Sequence, residues 1–320
     1  MKTVFMGSDR FGIDSLDALS SSRHSLELVV TQPGRPAGRH RKPRPTPVAV
    51  WAMKKGVRLV EAHDVNDPTV VAEIARTAPE VIVVAAFGQK IGTEIINLPR
   101  RGIINVHASL LPKYRGAAPI NWAIINGETR TGISIITVAE KMDAGDIIAQ
   151  AEVDIAPDDT AETLGAKLAR LAGPLLLETL DKIADGTATY TKQDHTKATL
   201  APRLKKSDGF LDFSAPANHL ERRIRGLWPW PAAAALYVRI ESRRPERVTI
   251  ASAEVVPCEN PAALAAGTLD EHLNVICGKD SLKIRKIKPA GRNLMDFTAF
   301  VRGRATKPGD AFTSISDATD

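Results

Sequence analysis

Asn105-Val106-His107 closes a short apolar run, Gly102 to His107, and sets an amide two residues from an imidazole. On a strand, residues two apart project to one face, so both groups stand together at the strand's end. The amide is a neutral hydrogen-bond donor, and an imidazole takes up and releases a proton near neutral pH. Side by side they suit carbonyl chemistry: the amide holds a developing oxyanion while the imidazole moves a proton. A satisfied pair of buried polar groups is the plain alternative. Two neighbouring features favour chemistry. Ser109 to Pro119 is a polar loop punctuated by Pro and Gly, just past the strand end, where open α/β sheets place ligand sites. Further on, the strand Gly132 to Val138 runs into a turn, Glu140 to Asp146, from which Asp143 can offer a carboxylate to the imidazole.

Such groups need a rigid frame. Lys2–Gly7, Leu26–Thr31, Val57–Val60 and Val81–Ala86 read as strands, the last apolar throughout, as in a parallel strand buried on both faces. Thr46-Pro47 and Asp67-Pro68 mark helix starts between them, and Gly56 marks an end. The alternation implies an α/β fold with a doubly wound, mainly parallel, Rossmann-like sheet. The strands Gly132–Val138 and Asp146–Val153 share a short polar connection and should pair antiparallel. Gly7-Ser8-Asp9-Arg10-Phe11-Gly12 lacks the G-x-G-x-x-G spacing, which argues against nicotinamide binding. Phe87 and Gly88, with Ser109, Leu110, Leu111 and Pro112, can wall a crevice for a flat heteroaromatic; for Phe87 to Ile91 a bare loop is the alternative. Beyond residue 186 the pattern changes. Thr187 to Asp208 is polar, Asn218 to Gly226 is a short basic helix, and four short alternating runs between Ala235 and Lys288 suggest a small barrel. The expected division is a catalytic domain over 1–189, a linker over 190–208 and a basic β-barrel domain over 209–320.

Asn105-x-His107, Ser109-Leu110-Leu111-Pro112, the YRGAAPI of Tyr114 to Ile120, the WAIINGE of Trp122 to Glu128 and the MDAGDI of Met142 to Ile147 form an ordered set. It resembles the formyltransferases that use 10-formyltetrahydrofolate, and weaker likeness extends over nearly the whole chain. The resemblance implies that Asn105, His107 and Asp143 are the catalytic trio, and that the crevice of Phe87, Gly88 and Ser109 to Pro112 holds the pterin. It also implies that no metal takes part, and that the second domain is an OB-like barrel. The nearest likeness is to members whose acceptor is methionine esterified to initiator transfer RNA. Two departures stand out: Ser8-Asp9-Arg10, where the family reads nearer to Thr-Pro, and Gly34, where Asp is common.

Charge fits such a partner. The formal net charge is +6, and residues 203–320 hold 19 Lys/Arg against 14 Asp/Glu, or +5, leaving 24 against 23, or +1, for residues 1–202. Arg35, Arg39, Arg41 and Lys42 lie in a Pro- and Gly-rich loop, and no acid occurs between Glu27 and Glu61. This stretch is a candidate phosphate-backbone clamp, with a solvated loop as the alternative. The resemblance implies that it enters the acceptor stem. Lys205 and Lys206 in the linker and Lys286, Lys288 and Arg292 in the barrel complete the expected RNA contacts. On a regular strand Lys283 and Arg285 share one face and Lys286 and Lys288 the other, so these charges cannot all meet one ligand. Cys258 and Cys277 match neither zinc-ligand nor disulfide-scaffold patterns, and both are expected as buried free thiols. No apolar run reaches membrane-spanning length; a cytoplasmic monomer without membrane contact is expected. Other readings are a formyltransferase for an amino sugar nucleotide, a hydrolase of the same cofactor, and a non-catalytic RNA-binding protein. The intact trio argues against the last.

Overall fold

Val81–Ala85, apolar at every position, is buried along its whole length inside a seven-stranded sheet. The structure, a computed structural model, describes residues 1–37, 42–242, 244–258 and 264–315. Across the sheet the strands run Ile147–Asp154, Arg130–Thr137, Ile103–His107, Val81–Ala85, Lys2–Gly7, Ser25–Thr31 and Leu59–Glu61. From Ile103–His107 to Leu59–Glu61 every pairing is parallel, and the two strands at the other edge pair antiparallel. The doubly wound expectation therefore holds, with the antiparallel pair where the short polar turn placed it. The chain winds outward from Lys2–Gly7 to Leu59–Glu61, then returns to Val81–Ala85 on the other side. That reversal leaves a crevice outside the carboxyl ends of the central strands, and Ser8, Phe87 and His107 all lie at that end.

Local chemistry sets the element ends. Thr46 Oγ1 accepts from Ala49 N at 3.0 Å ahead of the helix Pro47–Lys55, whose first residue is a proline with no N–H to satisfy. Gly56 takes the left-handed conformation that stops it. Glu80, just before the central strand, is fixed by an ion pair with Arg100 and by Lys2 N, which donates to its Oε2 at 2.8 Å. These contacts hold its carboxyl at about 2, below the roughly 4.3 of a free glutamate. Their stabilisation is complete above the free value and is lost as pH falls toward 2. Between pH 5 and 3 the melting temperature of Glu80→Gln should therefore fall less steeply than that of the unaltered protein, as read by circular dichroism; parallel curves would refute the assignment.

The chain forms two compact units, one of Met1–Pro119, Arg130–Asp154 and Gly165–Pro202, the other of Ile120–Thr129, Ile155–Leu164 and Arg203–Asp320. The first holds the seven-stranded sheet. The second is built on a nearly closed, barrel-like antiparallel sheet in the order Val275–Ile276, Ser281–Pro289, Pro245–Val256, Ala233–Val238 and Ala311–Thr313. Its core gathers Leu220 and Ile224 from the helix Ala217–Leu227 with Tyr237, Ile250, Ile287, Phe300 and Phe312. Two earlier segments belong to this unit: Asn121 Nδ2 donates to Gly226 O at 2.7 Å, and Arg225 Nη1 donates to Asp159 O at 2.8 Å.

One expectation is overturned here. Lys283, Arg285, Lys286 and Lys288 do not divide between two faces; all four are exposed, while Leu282, Ile284, Ile287 and Pro289 are buried. The cause is an irregularity in the ladder, where Ile250 faces Ile287, Ser252 faces Lys286 and Ala253 faces Ile284. Arg285 has no partner in that register, so the alternation resets, as at a β-bulge. Cys277 is buried, which pushes its thiol up to about 12, whereas Cys258 is only half-buried. Among the described residues no helix is long and apolar enough to cross a membrane.

Candidate active site

Asn105 and His107 sit on the last turnings of the strand Ile103–His107, opposite Ile136 and Ser134 of the antiparallel neighbour. The neighbour's chain then turns back through Asp143. The structure brings the three side chains together. Asn105 Nδ2 donates to Asp143 Oδ1 at 3.3 Å, and His107 Nδ1 lies 3.7 Å from the same oxygen. The second carboxylate oxygen, Oδ2, accepts from Gly116 N at 2.8 Å. His107 Nε2 lies 2.9 Å from Tyr114 O. A carbonyl only accepts, so that contact puts a proton on Nε2 and leaves Nδ1 to face the carboxylate. In neutral histidine Nδ1 is an acceptor too; the 3.7 Å gap between two acceptors is one that a proton on Nδ1 or a bridging water would span. His107 is 6% exposed and Asn105 is half-buried.

Backbone strain surrounds this cluster. Asp143 has φ +52° and Tyr114 φ +62°, conformations that cost a non-glycine residue about 1–3 kcal/mol and persist only where the surroundings enforce them. Gly116 has φ +124°, and a Cβ there would collide with Ala201 O; a side chain would push its N–H off Asp143. Gly145 is equally confined, since a Cβ would strike Thr137 O. The loop Ser109 to Pro112 is pinned from below. Ser134 Oγ donates to Ser109 O at 2.6 Å and accepts from Leu111 N at 2.9 Å, and Gln150 Nε2 donates to Leu111 O at 3.0 Å. Ser109 is fully buried and donates to Lys113 O at 2.7 Å; Leu111 is also buried, while Leu110 and Pro112 are half-buried.

Across the crevice, Phe87 is placed differently from a stacking wall. Its ring is buried in the core with Val4, Met6, Val84 and Ile95, and the residue as a whole is 2% exposed, so it is the exposed Gly88 that faces outward. Phe87 O accepts from Gln32 Nε2 at 2.7 Å and Ser8 Oγ at 3.2 Å, which ties three strand ends together. Nothing in residue type or spacing assigned Gln32 or Ser8 this role, because isolated polar residues after strands carry no pattern. The same holds for Tyr114 O and Gly116 N, since main-chain groups have no residue signature.

The basic residues are spread widely. Arg35–Ala37 and Lys42–Arg44 pair as a short antiparallel hairpin where a loop was expected; extended backbone accommodates prolines at strand edges. Arg35 is exposed and donates to Gln32 Oε1 at 2.6 Å. Arg39 and Arg41 lie outside the described residues, as does the side chain of Lys42. Lys205, Lys206, Lys286, Lys288 and Arg292 are exposed. Among the described residues no group of three or more His, Cys, Asp or Glu is placed to hold a metal ion.

Residues 1–180 match the family described as formyl transferase, and residues 203–305 match its C-terminal domain. Fold and site thus define the class as formyl transferases. A methionyl-tRNA formyltransferase of Caldanaerobacter subterraneus is 40% identical over 97% of this chain and 99% of its own length. One of Agathobacter rectalis is 37% identical over 98% and 100%. The structure of an N-formyltransferase from Helicobacter canadensis, with folinic acid and dTDP-3-aminofucose, shares the fold with a TM-score of 0.62, covering 89% of this chain and 99% of that one at 15% identity. The chain belongs to the methionyl-tRNA formyltransferase family.

Proposed function

We propose that this chain transfers the formyl group of 10-formyltetrahydrofolate to the amino group of methionine on initiator transfer RNA, as a monomer in the cytoplasm. The observation that carries the reading is the gathering of Asn105, His107 and Asp143 at the sheet's carboxyl end, in a chain that aligns along nearly its whole length with methionyl-tRNA formyltransferases. The pterin lies along Ser109 to Pro112 and the backbone of Phe87 and Gly88. The neutral methionyl amine attacks the formyl carbon, and the carbonyl electron pair moves onto oxygen. One amide hydrogen of Asn105 is held by Asp143; the other meets the oxyanion. His107 adds a donor from Nδ1 as the imidazolium, which carries a hydrogen on each nitrogen, because Nε2 is committed to Tyr114 O. The carbon–N10 bond then breaks as the proton leaving the attacking nitrogen passes to N10, relayed by Asp143 through water. One C–N bond forms, one breaks and one proton moves, so no metal or redox partner is needed.

The acceptor's backbone is met by the basic stretch of Arg35, Arg39, Arg41 and Lys42, by Lys205 and Lys206, and by Lys286, Lys288 and Arg292. The bulge that turns Lys286 and Lys288 outward together with Lys283 supports this placement. Replacing Lys286 and Lys288 with Ala should lower the slope of log affinity against log salt by about two units, since each phosphate contact contributes roughly 0.9. Filter binding of charged RNA across a salt series measures it, and an unchanged slope would leave these lysines as mere solvated surface. The reaction itself is tested by formyl transfer from labelled 10-formyltetrahydrofolate, with charged initiator transfer RNA, uncharged RNA and an amino sugar nucleotide offered side by side. Label is expected on the charged RNA alone; label on the sugar, or free formate without acceptor, would replace the reading with one of its alternatives.

A further inference from the structure

Gln193 lies fifty residues beyond Asp143 in the chain, in a polar stretch with no apolar period, yet it is buried and every polar atom of its amide is engaged. Nε2 donates to Asp143 O at 2.9 Å and to Gly145 O at 2.7 Å. Oε1 accepts from Arg115 Nη2 at 2.6 Å and Arg115 Nε at 3.2 Å. Arg115, only 6% exposed, also donates from Nη2 to His195 Nδ1 at 2.9 Å. An amide NH₂ has two hydrogens, so one side chain clamps two carbonyls of the Asp143 turn at once. One of those carbonyls is Asp143's own and the other lies two residues on, so the clamp holds the left-handed Asp143 backbone from its C-terminal side, a conformation that needs outside enforcement. The guanidinium behind Oε1 polarises the amide and strengthens both donor contacts.

We propose that Gln193, backed by Arg115, is a positioning residue for formyl transfer, holding the Asp143 carboxylate against Asn105 and His107. The inference rests on the reading of Asp143 as a member of the reacting trio. Anchoring of its own segment does not account for Gln193, because that segment is tied down independently. Ile147 and Thr191 exchange two backbone hydrogen bonds of 2.8 Å each. Arg115 N donates to Thr199 O at 2.8 Å, and Leu200–Ala201 pairs in parallel with Arg115–Gly116. What Gln193 adds is fixation of the turn.

The test is a double-mutant cycle in the full chain, assayed with charged initiator transfer RNA and 10-formyltetrahydrofolate. Gln193→Ala should lower kcat about 100-fold, the scale of an ångström misplacement of a reacting group, with KM for both substrates held; the melting temperature should fall as well, because two carbonyls and the buried Arg115 lose their partner. Gln193→Glu keeps the volume and the Arg115 partner but offers acceptors to two carbonyls; it should lose at least as much, and it serves if the alanine variant does not fold. In an Asp143→Ala background, Gln193→Ala should cost less than about 3-fold, because groups acting through one another are not additive. A full 100-fold loss in that background, or a Gln193→Glu variant with native kcat, would overturn the proposal. Native kcat in Asp143→Ala alone would overturn the trio reading itself, and this inference with it.

Discussion

Replacing Asp143 with Asn should lower the turnover of formyl transfer by about 10²–10⁴-fold, the range for loss of a positioned proton-transfer group. The substitution keeps volume and removes charge, but its main effect follows from the donors already aimed at the carboxylate. Gly116 N, fixed by the backbone, points at Oδ2, and Asn105 Nδ2 points at Oδ1. The new amide can offer only one oxygen. That oxygen is expected to go to Gly116, whose N–H cannot turn away, so the new NH₂ faces the NH₂ of Asn105. Two donors cannot share that position, and the Asn105 amide is forced to rotate. The variant therefore loses the carboxylate beside His107 and at the same time reverses the oxyanion donor. Folate binding, followed by fluorescence titration, and the melting temperature should be unchanged, because neither the Ser109–Pro112 loop nor the core is touched. Single-turnover formyl transfer within about threefold of the unaltered protein would remove Asp143 from the reaction.

Much of this arrangement was legible from residue types and spacing. The wholly apolar Val81–Ala85 announced a central parallel strand, and the two-residue spacing of Asn105 and His107 put both on one face. The short polar turn before Ile147 announced an antiparallel return that carries Asp143 back to them. What stayed hidden has physical causes. A β-bulge changes the face of every later side chain, and nothing in Ser281 to Pro289 marks where Arg285 drops out of register; alternation alone assigned Lys286 and Lys288 to the opposite face from Lys283. Phe87 reads with Gly88 as part of a crevice wall because it follows a strand end; its ring turns into the core with Met6 and Ile95, which residue type alone does not reveal. Gln193 was invisible because its contacts are long-range and reach main-chain carbonyls. The hydrogen bond from His107 to Tyr114 O depends on a left-handed residue, and that residue is not glycine.

Asn105→Ala isolates the oxyanion donor from the proton path. In the proposed mechanism the amide's contact with Asp143 uses one hydrogen and the second meets the oxyanion, so the group is preorganised before charge develops. Such a donor does little for a ground-state carbonyl and most for the tetrahedral oxyanion. Turnover should therefore fall by about 10²–10³-fold, the usual cost of one preorganised donor. Because the lost interaction is made only in the transition state, kcat and kcat/KM should fall by the same factor while both KM values hold. Alanine leaves Asp143 with its Gly116 contact intact, so the turn and its carboxylate stay in place. The loss should accordingly be smaller than in Asp143→Asn, where donor and carboxylate fail together. Steady-state assays varying the folate and the charged RNA in turn read both constants. A rise in either KM with kcat preserved would make Asn105 a ground-state binding group, and turnover near the native value would assign the oxyanion to His107 alone.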